Sequence, residues 1–91
     1  MEFEWDEEKA VKNWKKHRIS FETAKLIFND PYRIEYLDDI NSDNEDRWIS
    51  IGLVGKLLCV IYTERDGGNK IRLISARLAT AQERREYYGS N

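Results

Sequence analysis

Apolar and polar residues alternate from the outset: Phe3 and Trp5 are interleaved with Glu2, Glu4 and Asp6, the period-two pattern of a short edge strand. Asp6 is placed as a helix N-cap, and Glu7 and Glu8 fall in the first turn, where the helix dipole favours acids. Ala10, Val11 and Trp14 then form a narrow apolar stripe on a helix otherwise rich in lysine, which should end near His17-Arg18. Ser20 is a second N-cap, and Phe21, Ala24, Ile27 and Phe28 give the next helix one apolar face. Asn29-Asp30-Pro31 stops that helix, because proline excludes the preceding residue from helical geometry.

Beyond the proline the period returns to two. Residues 33–37 alternate weakly, with Ile34 and Tyr36 on one face, and residues 38–46 read as an acidic loop. Residues 48–53 alternate clearly, with Ile49, Ile51 and Leu53 together. Val54-Gly55-Lys56 is a turn, and residues 57–63 are apolar on both faces, as a central strand should be. A hairpin loop at residues 65–69 leads to a strand over 70–76. Thr80 and Glu83 form a capping box that opens a last helix, which runs to about Tyr88 with Gly89 as its C-cap, while Ser90 and Asn91 fray. The predicted order is β-α-α-β-β-β-β-α, an α+β fold with an antiparallel sheet packed by helices.

At 91 residues the chain is a single domain, 1–91. Its 41% hydrophobic content supports a packed core despite 35% charged residues, so disorder is not expected. Cys59 is the one cysteine, which excludes a disulfide framework, and no Cys/His spacing suits a metal. Gly67-Gly68 is a turn, not a phosphate loop, since no Gly-Lys-Ser/Thr follows. Neither a cofactor nor a metal is expected. The acidic N-terminus is no signal peptide, and no apolar run approaches a membrane span, so the cytoplasm is the expected compartment.

The net charge of −2 conceals an asymmetry. Residues 29–46 hold seven acids against Arg33, whereas residues 47–91 hold eight bases against four acids. A local cationic field can bind phosphate whatever the total charge. Arg72 and Arg77 flank the last strand, and Arg65 ends the one before it. Strict alternation puts Arg72, Ile74 and Ala76 on one face and Ile71, Leu73 and Ser75 on the other. Guanidinium groups hold phosphate bidentately. Their ordinary alternative is pairing with Glu45, Asp46 or Glu64. His17 is the only histidine, a residue type suited to proton transfer near neutrality; its ordinary alternative is to cap the first helix. Arg84 is a candidate contact on the last helix. Tyr87 and Tyr88 could stack on bases, though one is expected in the core. The tryptophans read as core or interface anchors. Glu22 and Glu83 are explained by helix-terminal roles.

The ordered residues Phe3-Glu4-Trp5-Asp6, Lys9-Ala10, Asn13, Lys16-His17 and Ser20-Phe21-Glu22-x-Ala24, then Phe28-x-Asp30-Pro31 and Glu45-x-Arg47, resemble the BrnT family of type II toxins. So do Ile51-Gly52, the run from Val60 to Arg65, the run from Ile71 to Arg77, and Glu83-Arg84-x-x-Tyr87. The resemblance spans nearly the whole chain. It implies a RelE-like fold and a ribonuclease that arrests growth by cutting RNA, with a BrnA-like antitoxin that neutralises it and represses their operon with it. The matching polar positions are Lys16, His17, Glu22, Arg47, Tyr62, Arg65, Arg72, Arg77 and Arg84. The expected site has Arg72 and Arg77 clamping the phosphate, His17 or Lys16 moving protons with Tyr62 assisting, and Arg47, Arg65, Arg84 and Tyr87 holding RNA. Arg18 departs from the family, which usually has glycine after the histidine. If that position requires positive φ, arginine there costs about 1 kcal/mol; otherwise the helix runs on. The rival reading is a non-catalytic module that binds its antitoxin and reaches operator DNA only through it, with the 38–46 loop as partner surface.

Overall fold

The predicted sequence of elements is present in full. The computed structural model describes residues 1–42 and 44–90; Asp43, counted in the acidic loop, and Asn91, expected to fray, lie outside them. Strand β1 (Glu2–Trp5) is followed by helix α1 (Glu7–His17) and helix α2 (Phe21–Ala24), which tightens into a 3-10 turn over Lys25–Asn29. Strands β2 (Ile34–Leu37), β3 (Trp48–Val54), β4 (Lys56–Arg65) and β5 (Lys70–Leu78) precede helix α3 (Ala81–Gly89). The caps are those the sequence named. The Asp6 carboxylate accepts from the Glu8 and Lys9 amides, and the Ser20 hydroxyl from the Thr23 amide. Thr80 and Glu83 form the reciprocal box. Gly89 differs: it is the last helical residue, and Ser90 is the cap.

The sheet runs β1-β5-β4-β3-β2. Strands β2 to β5 pair antiparallel, while β1 joins the edge of β5 in parallel, with Glu4 opposite Arg72. The first face is covered by α1, α2 and the 3-10 turn. Phe21, Ala24 and Ile27 pack there on Val60, Tyr62, Ile71 and Leu73. The 3-10 turn lies so close to β3 that a Cβ on Gly52 would come within 2.9 Å of the Ile27 Cβ, which explains glycine in the middle of a strand. The opposite face has a smaller core, Ile51, Leu57 and Cys59 under Tyr87 of α3. Tyr87 is the one buried residue of α3, so that helix covers only part of its face.

Helix α1 is tied to the sheet by a polar side chain. Beyond Leu73, β5 has no strand on its β1 side, and Asn13 takes that place. Its carboxamide oxygen accepts from the Ala76 amide at 3.0 Å, and its nitrogen donates to the Ala76 and Ile19 carbonyls at 2.9 Å each. The helix ends at His17 because Arg18 adopts the left-handed conformation, φ 58 and ψ 31, and donates its amide to the Trp14 carbonyl. The positive φ weighed at this position is therefore real, and the helix does not run on. No helix among the described residues is long and apolar enough to cross a membrane.

Candidate functional site

A register shift decides where the strand arginines point. Ile61 lies opposite Ser75 but Tyr62 opposite Leu73, so Ile74 is the extra residue of a β-bulge. A bulge inverts the alternation beyond it. Ala76 accordingly joins Ile71 and Leu73 in the first core, rather than sharing a face with Arg72. Arg72 lies opposite Thr63 and Arg77 opposite Cys59, residues of the same parity on β4. The two arginines, on opposite faces under strict alternation, thus share the face that α3 partly covers.

Each of them already holds a carboxylate. The Arg72 guanidinium donates to Glu4 at 2.7 Å, and Lys70 lies 3.6 Å from the same carboxylate. Arg72 is the leading cause that holds the Glu4 carboxyl below its usual range. Arg77 makes a fork with both Glu83 oxygens, at 2.7 and 2.9 Å. That fork, against the opposing effect of burial, pushes the Glu83 carboxyl down to about 2. Cys59 lies beneath, and burial pushes its thiol up to about 12, which leaves it unreactive. At about 3.3 Å per residue the two arginine backbones stand roughly 15 Å apart. A single phosphate held by both would require each to leave its acid and converge. The partners are not the Glu45, Asp46 or Glu64 considered from sequence; Glu45 instead pairs with Arg65 at 3.0 Å. Arg47 is half-buried just before β3, its amide donating to the Ser42 hydroxyl, with no ion pair among the described residues.

Two expected RNA contacts are core residues. Tyr62 is fully buried, packs edge-on against Phe28, and its hydroxyl donates to Glu35. Its even parity on β4 turns it into the first core, away from the arginines. Tyr87 anchors α3, is 4% exposed, and donates its hydroxyl to Asp30 at 2.6 Å. Neither can stack on a base in this conformation. Glu22 pairs with Lys25 on the surface at 2.8 Å.

His17 and Lys16 lie elsewhere, at the C-terminal end of α1. His17 is half-buried and borders two depressions. One is a cleft of about 690 Å³ between the helix ends and the β3–β4 turn, where His17 is joined by Trp14, Arg18, Ser20 and Lys56. The other is a shallower hollow against β5, shared with Lys16, Lys9 and Lys12. No aspartate or glutamate lines either one. Arg84, exposed on α3, lies over Tyr88 at 5.6 Å from the ring centre. The structure thus separates the expected catalytic residues into two groups, the paired Arg72 and Arg77 of the sheet face and the proton-transfer candidates His17 and Lys16 of the α1 end. Sequence reading missed Lys56, which looked like an ordinary turn residue. Of the two roles open to the tryptophans, core or interface anchor, Trp14 is left with the second, since it is 47% exposed. Among the described residues, no group of three or more His, Cys, Asp or Glu side chains is placed to hold a metal ion.

With this geometry in view, similarity to known proteins is informative. The family model described as the ribonuclease toxin BrnT of type II toxin–antitoxin systems matches residues 5–83. The crystal structure of the Brucella abortus ribonuclease toxin BrnT superposes with a TM-score of 0.66 at 24% identity, covering 88% of this chain and 97% of that one. At that identity the likeness carries the α+β fold alone. No curated protein matches the chain.

Proposed function

The chain belongs to the BrnT family of ribonuclease toxins of type II toxin–antitoxin systems, and from that premise we propose that it is an endoribonuclease that needs no metal, cuts RNA to inhibit translation and growth, and is neutralised by a BrnA-like antitoxin. The observation that supports this reading is the cleft at the end of α1. It joins the only histidine of the chain to Arg18 and Lys56, with no acid in its lining.

RNA carries its own nucleophile. In the proposed reaction the His17 imidazole takes the proton of a 2′-hydroxyl, and the freed oxygen attacks the adjacent phosphorus. Arg18 and Lys56 offset the charge that builds on the phosphorane. The bond to the 5′-oxygen breaks, Lys16, which shares the adjoining hollow with His17, supplies the proton for that oxygen, and a 2′,3′-cyclic phosphate remains. Positioned acid–base groups contribute about 10²–10⁴-fold to such a step. Arg72 and Arg77 contribute chiefly by fixing β1 and α3 to the sheet, and act on phosphate only if released from Glu4 and Glu83.

The test is cleavage of RNA by the purified chain in EDTA, beside His17→Ala, Arg72→Ala and Arg77→Ala. Loss of at least about 100-fold in His17→Ala is expected, with cleavage per folded molecule retained in the arginine variants. Full activity in His17→Ala, or loss confined to the arginine variants, would move the chemistry to the sheet face. Silence of the wild type in EDTA with rescue by a divalent ion would refute metal independence.

A second reading has one observation in its favour. The edge strand β2 and the residues around it expose Tyr32, Tyr36, Leu37 and Ile40, a surface suited to a protein partner. In that reading the chain is a non-catalytic module that acts with its antitoxin at operator DNA. Expression without the antitoxin discriminates the two: normal growth and intact RNA favour the module.

A further inference from the structure

The cleft beside His17 does not end at the β3–β4 turn. A second cleft, of about 470 Å³, opens on the other side and shares Gly55, Lys56 and Leu78 with the first. The two make one groove that bends around the end of the sheet. Both volumes fall within the roughly 300–1,000 Å³ of pockets that enclose small ligands. Gly55, at φ 68, makes the tight turn that places Lys56 at the bend. At one end Trp14 is 47% exposed, with the Arg18 guanidinium 5.8 Å from its ring centre. At the other, Tyr88 is 54% exposed, with Arg84 at 5.6 Å. The groove therefore carries an arginine–aromatic pair at each end and a lysine between them.

Its charge is as distinctive as its rings. The chain has 17 acids, yet neither cleft is lined by one. Arg18, Lys56 and Arg84 make no ion pair among the described residues, whereas Arg65, Arg72 and Arg77 each hold a carboxylate. Other cations are also without an ion pair among the described residues, Lys9, Lys12 and Lys16 around the hollow on β5 among them, but the groove is where unpaired cations stand beside exposed aromatic rings. Flat apolar faces beside unpaired cations suit a single-stranded nucleic acid, whose bases stack on any aromatic ring while its phosphates follow the charge. An acidic peptide would satisfy the cations but leave the ring faces without a matching partner.

We propose that this groove is a track for single-stranded RNA, with bases stacked on Trp14 and Tyr88 and phosphates held by Arg18, Lys56 and Arg84. The proposal rests on the ribonuclease reading and deepens it, since His17 borders the same track.

Binding can be separated from cleavage. The full chain is titrated in EDTA into a labelled oligoribonucleotide whose 2′-O-methyl groups block attack, and anisotropy is read. Trp14→Ala, Tyr88→Ala and Lys56→Glu are compared with wild type, each checked for its fold by circular dichroism. Lys56→Glu is the control for folding, because Lys56 is an exposed residue at the very start of β4. Trp14→Ala and Tyr88→Ala are each expected to weaken binding about 10-fold, in line with the stacking energy of one base, and Lys56→Glu to weaken it at least as much, because it puts an acid where a cation met phosphate. Affinity within about twofold of wild type in all three would overturn the track, as would loss of binding in Arg72→Ala alone. Displacement of the strand by a polyglutamate peptide at equal or lower concentration would give the groove to an acidic protein segment and overturn it too. Binding that depends on Trp14 and Tyr88, without cleavage of an unmodified strand, would leave the track standing and refute the catalytic reading. Cleavage with unaltered binding in the variants would do the reverse.

Discussion

Arg18 shows how one side chain records a conflict between local geometry and residue type. The end of α1 requires a left-handed residue, and φ 58 at Arg18 meets that requirement. Only glycine adopts the conformation without a steric penalty. The compensation visible here is the placement of the guanidinium over Trp14, worth about 0.5–1 kcal/mol at an exposed site. The strain exceeds or matches that gain, so Arg18→Gly is expected to leave stability unchanged or raise it by up to about 1 kcal/mol. Urea unfolding measures it, and a loss beyond 1 kcal/mol would mean the ring contact outweighs the backbone strain. The same substitution removes a cation from the proposed RNA track, so stability and binding should move in opposite directions. A catalytic role for Cys59 has no comparable basis: the thiol is buried and its ionisation is pushed up to about 12.

At the scale of elements, the strands, helices and caps were legible because they depend on neighbours in sequence. Asp6, Ser20 and Thr80 each cap the helix that follows within a few residues. What was not legible depends on pairing between distant segments. The bulge at Ile74 exists only in the register between β4 and β5. It alone sends Arg77 to the face of Arg72, and no local signal around Ile74 announces it. The burial of Tyr62 and Tyr87 likewise follows from which face α2 and α3 cover. Asn13 is the clearest case. In sequence it is one polar residue on a lysine-rich helix, yet in the fold it completes the edge of β5. Asn13→Ala would leave the Ala76 amide and carbonyl without their partner, at about 1–3 kcal/mol for each buried group. The expected loss in urea unfolding is about 2–4 kcal/mol. Asn13→Asp should cost at least as much, because an ionised carboxylate can accept from the Ala76 amide but faces two carbonyl oxygens that need a donor. An aspartate variant as stable as wild type would contradict this account of how α1 is held.

For the whole molecule, the distribution of charge matters more than its sum. A net charge of −2 gives no hint of nucleic-acid binding. Among the basic residues, Lys25, Arg33, Arg65, Lys70, Arg72 and Arg77 lie within ion-pair distance of acids. Most of these pairs are partly exposed, so they add little stability, but those of Arg65, Lys70, Arg72 and Arg77 cancel the field of the sheet face. Of the basic residues without an ion pair among the described residues, Arg18, Lys56 and Arg84 stand together around one end of the sheet, while others, such as Lys9, Lys12 and Lys16, lie along α1. The division makes a quantitative prediction about salt. A single strand whose phosphates meet three cations releases counterions such that log K falls against log salt with a slope of about −2, at about −0.7 per neutralised phosphate. Lys56→Ala should reduce the slope by about 0.7. Arg72→Ala should leave it unchanged, because Glu4 already neutralises that guanidinium. Titration of an uncleavable oligoribonucleotide at several salt concentrations measures all three. A wild-type slope near −2 that shrinks in Arg72→Ala but not in Lys56→Ala would show that RNA displaces Glu4 on the sheet face, and the groove would then have no part in binding.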